Sequence, residues 1–275
     1  DASAVAHIPA EYWNPTAKWT DIVSGLGWGL GYFGMPHIII RFMSLGSQKE
    51  MKKSAIIGIS WTALILFFAT MVGVVGRMYL GMDEEINKNS LVFIAMVRSI
   101  FPALISGVLL SAVLAASMST ADSQLLAAAS SFASDVYKPV LRKDKATDKE
   151  MLWAGRFVVL GIAFIALLIA SNPNAGSIMA LVSNAWGVFG SAFGPAILLS
   201  LFWKRFTFHG AVAGIVVGAL VDIAWLILFA ATGIYEIIPG FFGGLIAAML
   251  ASLLGQEPSK EVAALYDRAE NYEED

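Results

Sequence analysis

The stretch Ser117-Met-Ser119-Thr120-Ala-Asp122-Ser123-Gln124 interrupts an apolar run of Ala, Leu, Val and Ile. On a helix turning about 100° per residue, Ser119, Asp122 and Ser123 fall within one arc of about 100°, with Thr120 beside it. That face carries a row of hydroxyl and carboxylate oxygens. With backbone carbonyls, these are the ligands of a hard cation, and a Ser-Thr pair inside a membrane helix can supply two of them to Na⁺. Serine and threonine in such helices also bond back to the preceding turn or across to a neighbouring helix, so both readings stand for the hydroxyls. Asp122 adds weight to the cation reading, because an ionisable side chain at membrane depth is costly and faces a cavity or a charged partner.

A second set lies in Gly25-Leu-Gly-Trp-Gly-Leu-Gly-Tyr-Phe-Gly-Met-Pro36. Trp28, Tyr32 and Pro36 recur at i, i+4 and i+8 and line one face if the helix is continuous. Such a stripe packs against a small apolar ring, with the Trp N–H and Tyr O–H free to fix polar atoms. The same aromatics also suit an interfacial belt. Glycine weakens a helix and Pro36 removes a backbone donor, so the composition predicts a broken helix. Lipid cannot satisfy the freed backbone groups, which places the segment on a transport path or binding site. A helix packed closely through its glycines is the competing reading.

Other candidates are weaker. Asp222 is a deep acid, paired or snorkelling toward the outer surface. His7, His37 and His209 have no metal spacing, and with no cysteine there is no disulfide, thiolate site or thiol nucleophile. Neither a nucleophile nor a metal cluster is evident, so the chain does not read as an enzyme.

These residues must be positioned by membrane helices. Of 275 residues 57% are hydrophobic and 14% charged, and mean hydropathy is +0.70. An average soluble domain is about 25% charged. Seven apolar spans are predicted: Thr20–Met43, Ala55–Tyr79, Ala103–Tyr137, Met151–Ala170, Ile178–Trp203, Phe208–Ala231 and Ile237–Leu254. The third exceeds the roughly 20 residues a crossing needs, so it tilts or projects. Glu84–Ile100 reads as a short amphipathic helix outside the bilayer.

Charge sets the expected orientation. Lys49, Lys52 and Lys53 beside Arg41, then Lys138, Arg142, Lys143, Lys145 and Lys149, then Lys204 and Arg205, fall on one side. Lys18, Lys88 and Arg98 share the opposite side with Asp83, Glu84 and Glu85. The richer basic side is cytoplasmic, which puts the tail 255–275 in the cytoplasm and segment 1–19 outside. A net charge of −3 without a basic stripe leaves no footprint for nucleic acid. The chain opens at Asp1 without an initiator Met or a leader and reads as an excerpt.

Three strings together resemble the sodium/solute symporter family, closest to its bacterial sodium/proline branch. They are Gly27-Trp-Gly-Leu-Gly-Tyr-Phe-Gly-Met-Pro-His37; Met118-Ser-Thr-Ala-Asp-Ser-Gln-Leu-Leu126 with Ser134-Asp-Val-Tyr-Lys138; and Gly194-Pro195 running to Trp203-Lys-Arg and Gly210-Ala211. Ile234-Tyr-Glu-Ile-Ile-Pro-Gly-Phe241 is similar to that branch too. The resemblance implies an all-α integral membrane protein with a LeuT-like fold of two inverted five-helix repeats. Residues 20–203 would form the second repeat and 204–254 two trailing helices. It further implies L-proline binding at Trp28, Tyr32 and Pro36 with Ser123 nearby, and Na⁺ as coupling ion at Ser119 and Thr120. Asp122 stands where many relatives have Ser and is a possible further ligand. Helices of a first repeat, absent upstream of residue 20, would supply the remaining contacts. The implied function is Na⁺-coupled L-proline uptake across the cell (inner) membrane. A same-family symporter for pantothenate or a short carboxylate and a transporter-like sensor domain are the alternatives.

Overall fold

A computed structural model describes residues 18–81, 91–172 and 176–270. The glycine-rich span is broken, as its composition predicts. It divides into α1 (Trp19–Gly27), a 3-10 segment (Trp28–Phe33) and α2 (Pro36–Met43). Met35 is extended, at φ −85° and ψ 113°, because the Pro36 ring disfavours the helical conformation before it. Pro36 then opens α2 in its first turn, where its missing N–H costs nothing.

The remaining helices are α3 (Gln48–Leu80), α4 (Val92–Ile100), α5 (Ala103–Ser131), α6 (Asp148–Ala170), α7 (Ile178–Phe202), α8 (Phe208–Leu228), α9 (Ile237–Leu254) and α10 (Lys260–Glu270). Six helices among the described residues are long and apolar enough to cross a membrane, namely α3 and α5 to α9.

Several ends differ from the hydropathy reading. The expected loop 44–54 is largely helix, since α3 begins at Gln48. Gln, Lys, Glu and Met are good helix formers, so the helix runs past its apolar part. Helix α5 continues as a π-helix over Phe132–Leu141 that contains Pro139, with Arg142 N donating to Tyr137 O at 3.0 Å. The predicted helix 84–100 is described only as α4, and residues 82–90 lie outside the described residues. Most of segment 1–19 and residues 271–275 of the tail also lie outside them.

Two compact units form: one within Lys49–Ala175, the other combining Asn14–Gln48 with Gly176–Asp275. In the first, a capping box fixes the start of α6: Glu150 N donates to Thr147 Oγ1 and Thr147 N to Glu150 Oε2. Its helices turn their apolar sides outward. None of the most apolar stretch of α3 or α6 is buried within the protein.

The second unit has the denser core, with 44% of the most apolar stretch of α7 buried. Small residues explain why. Gly210, Gly214 and Gly218 of α8 face Ser252, Ala248 and Gly244 of α9, an antiparallel register in which backbones meet closely. Asp222 extends the α8 stripe by one turn and faces Gly240.

Candidate functional site

The oxygen row forms on an unbroken part of α5. Thr120 Oγ1 donates to Ala116 O (3.2 Å), Ser123 Oγ to Ser119 O (2.9 Å) and Ser117 Oγ to Val113 O (3.0 Å). These are the back-bonds that membrane Ser and Thr commonly make. They consume the hydroxyl hydrogens and leave oxygen lone pairs free to accept. Ser119, Thr120 and Asp122 are exposed and Ser123 is half-buried. The row is therefore an acceptor-rich strip on an apolar surface, able to ligate a hard cation given further oxygens.

The aromatic set forms in the second unit, in a different arrangement from the predicted stripe. At about 3 residues per turn, the 3-10 segment places Trp28 and Tyr32 about 120° apart instead of on one face. They converge on Trp186 of α7. Trp28 stacks on it with ring centres 5.7 Å apart, and Tyr32 meets it edge-on at 4.9 Å. Tyr235, just before α9, stacks on Trp28 at 5.7 Å. Pro36 stays exposed, and it is Met35 that enters the core with Trp186 and Ile237.

The break finds its partners in the same cluster. Trp186 Nε1 donates to Trp28 O at 3.0 Å, so an indole caps a carbonyl in the interrupted stretch. Gly31 makes room for it, since a Cβ there would overlap the Trp186 ring. A Cβ on Gly34 would strike the Phe189 carbonyl. Ser24 Oγ donates to Gly233 O (3.2 Å) and accepts from Tyr235 N (3.1 Å), tying α1 to the chain entering α9.

Asp222 does not snorkel. It is 0% exposed, and Ser191 Oγ of α7 donates to its Oδ2 at 2.9 Å. Asp222 Oδ1 has no hydrogen-bond partner. Glu236, only 8% exposed, lies nearby: a Cβ placed on Gly187 would be 3.1 Å from Asp222 Oδ2 and 3.3 Å from Glu236 Cγ. With its amide nitrogen turned toward these acceptors, Asn184 donates to Glu236 Oε1 (3.2 Å) and Ala180 O (3.3 Å).

Sequence reasoning assigned no role to Trp186, Ser191, Tyr235 or Glu236. One signal was present. The glycines at 210, 214 and 218 repeat every four residues and reach Asp222 at the next step, so a helix-packing stripe carries that acid inward.

Long apolar helices, a proline-interrupted span and buried polar side chains at helix junctions define a multi-pass helical membrane protein. The profile of the sodium:solute symporter family matches residues 10–218, and the chain belongs to that family. It is 44% identical over 248 residues to the osmoregulated proline transporter OpuE of Bacillus subtilis, covering 89% of this chain and 50% of that protein. Against the sodium/proline symporter of Escherichia coli it is 43% identical over 254 residues, covering 90% of this chain and 50% of that protein. The high-affinity proline transporter PutP of Bacillus subtilis is 44% identical over 242 residues, covering 88% and 51%. The chain thus spans about half the length of the curated relatives it matches. No solved structure matches it.

Proposed function

We propose that this chain is the C-terminal half of a secondary transporter that couples Na⁺ entry to L-proline uptake across the cell (inner) membrane. The observation that carries the reading is the likeness, at 42–44% identity along most of the chain, to proteins named as proline transporters and sodium/proline symporters. Na⁺ is held by Ser119 and Thr120, with Asp122 adding a third oxygen side chain and the other ligands coming from the preceding half. Proline is bound by Trp28, Tyr32 and Pro36, and Ser123 is a further substrate residue. Residues 20–203 then correspond to the second of two inverted repeats in a LeuT-like fold, and 204–254 to two added helices. Segment 1–19 is extracytoplasmic and 255–275 a cytoplasmic tail.

No covalent step is required. Each ligand need only bind better when the other is present, by about 1–3 kcal/mol, and the benefit is reciprocal. In the intact transporter, Ser119→Ala and Thr120→Ala raise the Na⁺ concentration for half-maximal proline uptake at least tenfold, at unchanged expression. Trp28→Ala and Tyr32→Ala instead raise the proline concentration required. Unaltered sodium dependence in both hydroxyl variants removes the cation assignment, and normal proline saturation in both aromatic variants removes the solute assignment.

A further inference from the structure

The second unit holds a cavity of about 410 Å³ walled by Trp28, Trp225 and Tyr235, with Glu236 at its edge. That size is typical of a small-molecule site. Three of its side-chain donors are already engaged. Tyr235 Oη donates to Ser183 O (2.7 Å), Trp225 Nε1 to Ile234 O (3.3 Å) and Ser24 Oγ to Gly233 O (3.2 Å). What the cavity still offers a ligand is three aromatic side chains and a carboxylate. No lysine, arginine or histidine is among its lining residues. Behind Glu236 stands Asp222, fully buried and with one oxygen unpartnered, and no cationic side chain lines the cavity to neutralise Glu236.

We infer that this cavity binds a small organic ammonium ion, its charge against Glu236 and its carbon skeleton against the three aromatic side chains. Aromatic faces and a desolvated carboxylate both favour a cation with apolar substituents over a hydrated inorganic one. A ligand carboxylate would share the cavity with Glu236 and with no cationic side chain, so an amine lacking an acid group binds better than an amino acid. The site shares Trp28 with the solute reading but does not depend on transport.

The test uses the intact transporter in detergent, titrated with pyrrolidinium chloride and followed by tryptophan fluorescence. A saturable change is expected that equal concentrations of NaCl or of tetrahydrofuran, the uncharged ring of the same size, do not produce. Glu236→Gln weakens it at least tenfold, and Trp225→Leu, which keeps the carboxylate, weakens it severalfold. L-Proline displaces pyrrolidinium only at higher concentration than pyrrolidinium itself requires. An equal response to tetrahydrofuran or NaCl overturns the inference without any variant, as does unchanged affinity in Glu236→Gln. Sodium-driven uptake is measured separately, so loss of the symport reading leaves this result standing.

Discussion

At the scale of single residues, the glycines of the broken span are not equivalent. Gly31 lies against the Trp186 indole that caps the Trp28 carbonyl, whereas a Cβ on Gly29 meets nothing within 4 Å. Space, more than backbone freedom, should therefore decide what alanine does at each. Gly31→Ala must displace the indole and lose its hydrogen bond, a change of about 1–3 kcal/mol for overpacking. Gly29→Ala is expected to be neutral or to raise stability by up to about 1 kcal/mol, since it restricts the unfolded chain. Thermal unfolding of the two variants in detergent separates them. Equal loss in both would mean that the break needs glycine for its conformation and not for the room it makes.

Among the elements, hydropathy located six of the seven predicted spans because each must present apolar side chains over its crossing length, while Thr20–Met43 divides into shorter pieces that are not among the six. It misplaced the start of α3 for the same reason: Gln48–Ser54 is polar, and a helix outside the apolar layer carries no hydropathy signal. The break at Gly25–Pro36 was legible because its cause is local. Its partners were not, since Trp186 and Tyr235 lie some 150 to 200 residues away and no short-range periodicity connects them. The α8 stripe was readable in principle, and its energetic weight can be measured. A Cβ on Gly218 would overlap the Ser191 carbonyl of α7, while Leu220 on the same helix is 60% exposed. Gly218→Ala should cost about 1–3 kcal/mol. Leu220→Ala should stay within about 0.5 kcal/mol, because in detergent or lipid an outward leucine leaves one apolar medium for another. If the two variants unfold alike, close backbone approach is not what holds α8 to its neighbours.

For the molecule as a whole, orientation follows from how charge is distributed over the α7–α9 bundle. Arg205, between α7 and α8, reaches the Leu253 and Gly255 carbonyls at 3.5 and 3.4 Å, so the α7–α8 turn and the end of α9 share one end of the bundle. Lys204 beside it pairs with Asp267 of α10. At the opposite end the Ala230–Thr232 turn between α8 and α9 carries no basic residue, with Lys18, two residues before the Thr20 that lies beside Gly233, nearby. Retention of Lys and Arg on the cytoplasmic side then predicts that the α10 end faces the cytoplasm and Ala231 faces outward. These 275 residues contain no cysteine, so once any cysteine of the preceding half is replaced a single introduced thiol reports its own position. Ala231→Cys and Gln256→Cys replace exposed side chains at the two ends. In intact cells a membrane-impermeant maleimide should label Ala231→Cys and leave Gln256→Cys unmodified until the membrane is opened. The reverse pattern would invert the bundle and remove the charge argument for the cytoplasmic tail. It would leave the packing of α8 on α9 untouched, because that contact rests on small residues and not on which side the charges face.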